Sequence, residues 1–279
     1  MPYCHYAKSL GELEGTPFEA WGTPIYEYKK HKKESAVFFG LYDLRDYLAL
    51  FRHRGLSYVL WAGSDIKNLQ KEFALNDGKL KRISNIFGNK WVYPILKKAE
   101  HWVENKVEWE ALHRLGIHSK ICPSFMGDIN KFKVTFRPKK IPDVYISASE
   151  GRQEEYGFGV VERIADLLPV RFHLYGARWE TRRKNIMVHG RVPKEQMNEE
   201  ISKMQIGLRL NDFDGFSEIL AKCILQGQWP VSRIEYPGIP ACRTDQELID
   251  QIKGVAGVKG SFPERDWYVN NINKFPWVV

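Results

Sequence analysis

The feature that most limits how this chain can fold is an alternation that runs through it twice. Short apolar runs closed by glycine are followed by stretches with apolar residues at helical spacing. Residues 36–40 (Ala-Val-Phe-Phe-Gly) predict a buried strand, and residues 43–54 predict a helix with Leu44, Tyr47, Leu48 and Phe51 on one face and Gly55 as its stop. A second strand is expected over 58–61, with the turn Gly63-Ser64-Asp65 behind it, and a third over 101–103. A helix follows over 104–115, carrying Val107, Ala111, Leu112 and Leu115 on one side. Uninterrupted apolar runs suit strands covered on both faces, and strand–helix–strand units of that kind build a parallel sheet.

Between Pro123 and Pro142 the rhythm lapses. Pro123, Pro138 and Pro142, several basic residues and the lack of an apolar face predict a linker, placed at 126–142. The alternation then restarts. Strands are expected at 144–147, 170–175, 186–189, 206–210 and 229–232, and helices at 155–168, 193–203, 216–226 and 244–252. The last helix opens on Thr244 with Glu247 three residues on, the pattern of a capping box. Residues 267–279 are aromatic and carry no strand or helix signal. The fold class this predicts is α/β, with two Rossmann-like domains facing a cleft: residues 1–125 and 143–279, the latter including a C-terminal tail. A chain of 279 residues suits two domains of ~100–150 residues each.

Composition narrows the function classes. No stretch approaches the ~18–20 apolar residues of a membrane span, and residues 1–10 lack a signal peptide's apolar core, so a cytoplasmic protein is expected. Cys4, Cys122, Cys223 and Cys242 stand far apart with no metal-ligand spacing, which predicts reduced thiols. The histidines form no metal pair, and no metal site is expected. The net charge of +8 gathers in four clusters: Lys29, Lys30, His31, Lys32 and Lys33; Lys79, Lys81 and Arg82; Lys133, Arg137, Lys139 and Lys140; and Arg178, Arg182, Arg183 and Lys184. Each alone reads as a solvated loop; together they favour an anionic acceptor or surface.

The most informative segment runs from Gly207 to Val231. A strand leads into a polar turn centred on Asp214 and Gly215, and a helix begins near Phe216. In open parallel sheets ligands bind beyond the carboxyl ends of the strands. A helix that starts there offers unpaired N–H groups and a positive dipole end to a diphosphate.

This segment resembles the C-terminal motif of retaining GT-B glycosyltransferases of the group 1, family 4 type, in which two glutamates seven residues apart bracket a Gly-Phe turn and a helix. Asp214 falls at the first glutamate and Gly215, Phe216 and Ser217 at the turn. Gly227 with Pro230 and Val231 falls at the Gly-x-Pro-Val that closes the motif. The likeness covers roughly residues 143–240 well and 36–125 weakly. It implies a catalytic Asp214 beside the donor sugar, with Gly215, Phe216, Ser217 and Glu218 among the donor-binding residues. Lys222 departs from the pattern by standing at the second glutamate, where the family holds the ribose. Glu218 one turn earlier is then the alternative ribose ligand, Lys222 serves a phosphate, or donor binding has been lost.

Further candidates follow from position. Arg152, in Ser149-Glu-Gly-Arg152 after strand 144–147, is a phosphate ligand or a surface arginine. Arg209 is a second phosphate ligand or a structural partner of Asp212 or Asp214. Gly40 gives space for donor or acceptor. Asp65 is a base toward an acceptor alcohol or a helix N-cap, and Glu104 and Asn105 share that ambiguity. The resemblance implies a metal-independent hexosyltransferase-like enzyme with no cofactor, using a nucleotide sugar, UDP- or GDP-linked, as donor and a saccharide or envelope precursor as acceptor. The alternatives are a phage-type DNA glycosyltransferase acting on hydroxymethylated pyrimidines, with DNA as partner, and a catalytically idle GT-B binding domain.

Overall fold

A computed structural model describes residues 1–10, 13, 15–70 and 92–278; the basic residues Lys79, Lys81 and Arg82 lie outside the described residues. The described chain clusters into two units. The first holds Met1–Asp128, Phe213–Phe216 and Asn271–Val279; the second holds Ile129–Asp212 and Ser217–Asn270.

The first unit is built on a parallel sheet of five strands: β1 (Tyr3–Tyr6), β2 (Ala36–Phe39), β3 (Ser57–Leu60), β4 (Glu100–Val103) and β5 (Ser119–Ile121). They lie in sequential order, with Val37 opposite Tyr58 and Leu60 opposite Trp102. All four residues of β2 are buried, as the unbroken apolar run requires of a strand covered on both faces. The helix Leu44–Arg52 starts at Asp43, whose carboxylate accepts from the Asp46 amide while Asp46 reaches back, a reciprocal cap. It packs Tyr47 and Leu50 against Phe38, Val59 and Trp61. Strand β1 is unannounced in the sequence, because Tyr3-Cys-His-Tyr6 at a sheet edge needs no continuous apolar run.

The second unit carries β6 (Asp143–Ser147), β7 (Arg171–Tyr175), β8 (Ile186–Gly190), β9 (Ile206–Arg209) and β10 (Trp229–Ser232), all parallel, in the order β10-β9-β6-β7-β8. Strand order reverses between β6 and β9, which is the switch point of a doubly wound sheet. The helix expected over 155–168 is instead two helices, Gln153–Tyr156 and Phe158–Ile164, separated by Gly157. That glycine has φ 96°, and a Cβ there would stand 2.6 Å from Leu210 Cβ, so both conformation and space demand glycine. The capping box at Thr244 is present, with Thr244 Oγ1 accepting from the Glu247 amide at 3.1 Å.

Residues 126–142 are more structured than a plain linker. A 3-10 turn occupies Ile129–Lys131, Phe136 is buried, and the amides of Thr135 and Phe136 both donate to Gln226 O. The aromatic end of the chain likewise has structure that its sequence did not signal. The helix Arg265–Asn271 ends where the chain passes into the first unit. Phe275 and Trp277 then stack at 4.5 Å between centroids and pack against Trp21, Phe39 and Trp102. Such a segment shows no periodicity, because its apolar residues fill one hole in a core instead of lining an element. All four cysteines are buried free thiols, and burial pushes Cys4, Cys122 and Cys223 up to about 12. No described helix is long and apolar enough to cross a membrane.

Candidate functional site

In the second unit, two of the expected anion ligands meet at the switch point. Arg152 follows β6 and Arg209 ends β9, and both guanidinium carbons lie over the ring of Tyr156, at 4.7 Å and 4.2 Å from its centroid. The face of an aromatic ring attracts a cation, and both arginines are drawn to this one ring. Arg152 is also held by Glu155 in a bidentate pair, Nε to Oε2 at 2.8 Å and Nη2 to Oε1 at 2.7 Å. Gly151 before it has φ 80° and open space where a Cβ would stand, so the loop backbone there is accessible. Asp212, offered as a partner of Arg209, instead faces Arg233 at 3.5 Å.

Ser217 begins the helix Glu218–Leu225 by accepting the Ala221 amide on its carbonyl, and its hydroxyl makes no cap bond. Glu218 stands in the first turn, half-buried. Lys222, the residue that departs from the family pattern, is only 5% exposed, and its Nζ donates to Asn198 Oδ1 at 2.9 Å. Its ammonium thus reaches toward the helix Lys194–Ile201. A hollow of about 1130 Å³ in this unit lies away from these residues, lined by Asp166, Leu168, Glu180, Arg182 and Lys184 beside the starts of β7 and β8. Part of its positive charge is neutralised, because Arg183 pairs with Asp166 and Glu162.

Asp214, Gly215 and Phe216 belong to the first unit and lie against the carboxyl ends of its strands. The Phe216 amide donates to Glu104 Oε2 at 2.7 Å, and Asn105 Nδ2 donates to the Asp214 carbonyl at 2.7 Å. The other oxygen of Glu104 accepts from the Ser124 hydroxyl. A Cβ on Gly215 would fall on the Glu104 carboxylate, and one on Gly63 would stand 2.8 Å from the Gly215 nitrogen. Asn105 serves twice: its Oδ1 caps the helix Lys106–Arg114 by accepting from the Glu108 amide at 3.0 Å.

The carboxylates behind this turn are buried. Burial raises Glu104 to about 8, with the Asp214 charge adding to it and the Ser124 and Phe216 donors opposing it. Burial also raises Glu108 well above the usual range, and the neighbouring Glu104 adds to it. Asp65, fully buried, is raised by desolvation to about 7 although three backbone amides, of Leu41, Ala62 and Ile66, donate to it at 2.9–3.1 Å. The structure therefore places Asp65 inside the first turn of the helix Ser64–Gln70, tying the ends of β2 and β3 together, away from solvent. Gly40, with φ 76°, fits where a Cβ would stand 2.7 Å from the Tyr42 ring. The sequence marked Glu104 and Asn105 only as ambiguous polar residues after a strand. Ser124 it did not mark at all, because nothing local tells a buried serine from a loop serine.

These two five-stranded parallel units are the GT-B architecture, and comparison with solved structures agrees. No protein-family profile matches the sequence, and no curated protein sequence matches it. The fold is similar to that of the pneumococcal O-GlcNAc transferase GtfA, solved with UDP and GlcNAc, at a TM-score of 0.53 and 13% identity over 85% of this chain. It is similar to the sucrose-phosphate synthase of Thermosynechococcus elongatus, at a TM-score of 0.57 and 10% identity, covering 87% of this chain and 70% of that one. WaaG, a glycosyltransferase involved in lipopolysaccharide biosynthesis, aligns with a TM-score of 0.50 and 12% identity over 90% of this chain and 76% of its own. This chain spans about half of GtfA, 54% of its length. At such identities the likeness establishes the GT-B fold of glycosyltransferases.

Proposed function

We propose that the chain transfers a sugar from a nucleotide-sugar donor to an acceptor hydroxyl. The observation that carries this reading is the convergence of Arg152 and Arg209 on Tyr156 at the sheet's switch point. Departure of a nucleoside diphosphate builds negative charge on phosphate oxygens, and fixed guanidinium groups stabilise that charge as it develops. In this reading the arginine pair holds the diphosphate, Asp214 stands beside the donor sugar, and Glu218 takes the ribose in place of the absent second glutamate. Retention of anomeric configuration and a saccharide acceptor follow the family resemblance.

Thermal unfolding with UDP-, GDP-, ADP- and dTDP-sugars tests it. A donor at ~100–1000 times its Kd should stabilise the chain by ~2–4 kcal/mol. Arg152→Ala and Asp214→Asn should each lower transfer by at least ~10-fold. Unchanged turnover in both variants would remove the assignment.

A further inference from the structure

The turn that carries Asp214 is held from below by two neighbouring residues at the end of β4, through backbone groups. Glu104 receives the Phe216 amide and Asn105 grips the Asp214 carbonyl, so the peptide units on both sides of Gly215 are fixed. Glu104 is itself locked by Ser124, and its backbone amide donates to Glu108 Oε2 at 2.7 Å. Asn105 is locked by its capping bond to the Glu108 amide. Phe213, one residue before Asp214, packs on the first unit's core, with Lys67 Nζ 5.2 Å from its ring centroid. None of these contacts uses the Asp214 carboxylate. They act on the backbone on both sides of Asp214, which fixes the point from which its side chain projects, and the residue is half-buried.

We infer that Glu104 and Asn105 are positioning residues: they fix the Asp214–Phe216 turn, and so the place from which the Asp214 side chain projects, by clamping its backbone. The inference rests on the reading of Asp214 as the acidic residue beside the donor sugar. A carboxylate misplaced by ~1 Å loses much of its effect on a transition state, with costs on the order of 100-fold. Glycine at 215 fits the same account, since only a residue without Cβ lets the Glu104 carboxylate come under the turn.

Two chemical contrasts separate positioning from mere folding. Glu104→Gln keeps an acceptor for the Phe216 amide and gives Ser124 a donor in place of an acceptor, whereas Glu104→Ala removes both contacts. Asn105→Asp keeps the capping oxygen for the Glu108 amide but cannot donate to the Asp214 carbonyl when ionised. The experiment is amide hydrogen exchange across 213–217 in the full chain, with donor kcat and KM measured on the same variants. Glu104→Ala should speed exchange of the turn by ~10-fold or more while β2 and β3 stay protected. It should lower kcat by ~10-fold with donor KM within about 3-fold. Glu104→Gln should restore exchange and kcat to within about 3-fold of the parent, and Asn105→Asp, which sets a buried carboxylate against the Asp214 carbonyl, should lower kcat and speed exchange of the turn, with a lower Tm.

Parent-like exchange of the turn in Glu104→Ala would overturn the clamp. So would Glu104→Gln being as impaired as Glu104→Ala, since a conservative acceptor must rescue a positioning role. If the parent chain turns over no donor, the glycosyltransferase reading fails and takes the catalytic half of the inference with it. The exchange result then still decides whether the clamp exists. Loss of transfer in Asp214→Asn together with an unclamped but fully active Glu104→Ala would keep the reading and overturn the inference.

Discussion

Glu104 and Phe216, 112 residues apart, meet through a 2.7 Å hydrogen bond from a backbone amide to a carboxylate with almost no solvent contact. The residue between Asp214 and Phe216 therefore has a strict size limit. Gly215→Ala should force either the carboxylate or the turn to move, at a cost of ~1–3 kcal/mol of overpacking. Urea unfolding measures that loss, and nucleotide-sugar turnover should fall with it. An alanine variant as stable and as active as the parent would show that the turn does not depend on this approach.

The raised carboxylates give the first unit a distinctive pH response. Glu104 at about 8 and Asp65 at about 7 hold their protons more tightly when folded than when unfolded. The sign follows from linkage: their contribution is fully present below the ordinary carboxylate range and is lost as pH rises through about 7 to 8. Glu104→Gln removes one of these ionisations. Its Tm relative to the parent should therefore climb between pH 5 and pH 9. A difference that stays flat over that range would mean that Glu104 has an ordinary affinity for its proton.

His101 responds in the opposite direction. Trp61 Nε1–H donates to its Nδ1 at 3.1 Å, so the remaining ring proton sits on Nε2 and is donated to Leu96 O at 2.8 Å. Burial lowers the imidazole to about 4. A depressed histidine contributes stability that is lost as pH falls from about 6.5 toward 4. Nitrogen chemical shifts of the ring should report a neutral Nε2–H tautomer at pH 5.5. An imidazolium at that pH would refute the tautomer assigned from these bonds.

Asn273 ties the end of the chain to the first unit. Its Oδ1 accepts from the Phe125 amide at 2.9 Å and its Nδ2 donates to Phe125 O at 2.6 Å, while its own backbone sits at φ 60°. Asn273→Ala forfeits both bonds and leaves a Cβ in left-handed backbone, which should cost ~2–4 kcal/mol. Asn273→Gly loses the same bonds without the backbone penalty and should be the milder of the two by ~1 kcal/mol. Equal losses would assign the whole effect to the hydrogen bonds.

What the sequence shows and what it hides divide along physical lines. A strand such as 36–39 announces itself because burial on both faces demands an unbroken apolar run. The Thr244 cap is legible because its partner lies three residues away. Arg152 and Arg209 could be marked as strand-end cations. Their shared partner Tyr156 could not, since it is 53 residues from Arg209 and looks like any aromatic residue on a helix. The grip of Glu104 and Asn105 on the Asp214 turn joins residues more than a hundred positions apart, and no local pattern encodes such a pairing. Gly157 in a left-handed kink breaks a helix that periodicity alone runs straight through.

Arg152 cannot serve a diphosphate fully while Glu155 occupies the Nε–Nη2 edge of its guanidinium. That pair is exposed, at 48% and 42%, so it is weak and an incoming dianion can displace it. Glu155→Gln should then tighten binding of UDP or GDP by ~2–5-fold at low salt, by removing a competing carboxylate, with little change in Tm. Arg209→Ala should weaken the same binding by ~10-fold or more, since it removes a charge-assisted contact near the switch point. Combined with Arg152→Ala it should lose less than the sum of the two single effects, because both guanidinium groups lie over one ring and each is held in place by it. Calorimetric titration of Glu155→Gln, the two single arginine variants, their double variant and the parent decides the matter. Strictly additive losses, or no response to Glu155→Gln, would separate these arginines into independent surface charges and leave the diphosphate to be held elsewhere.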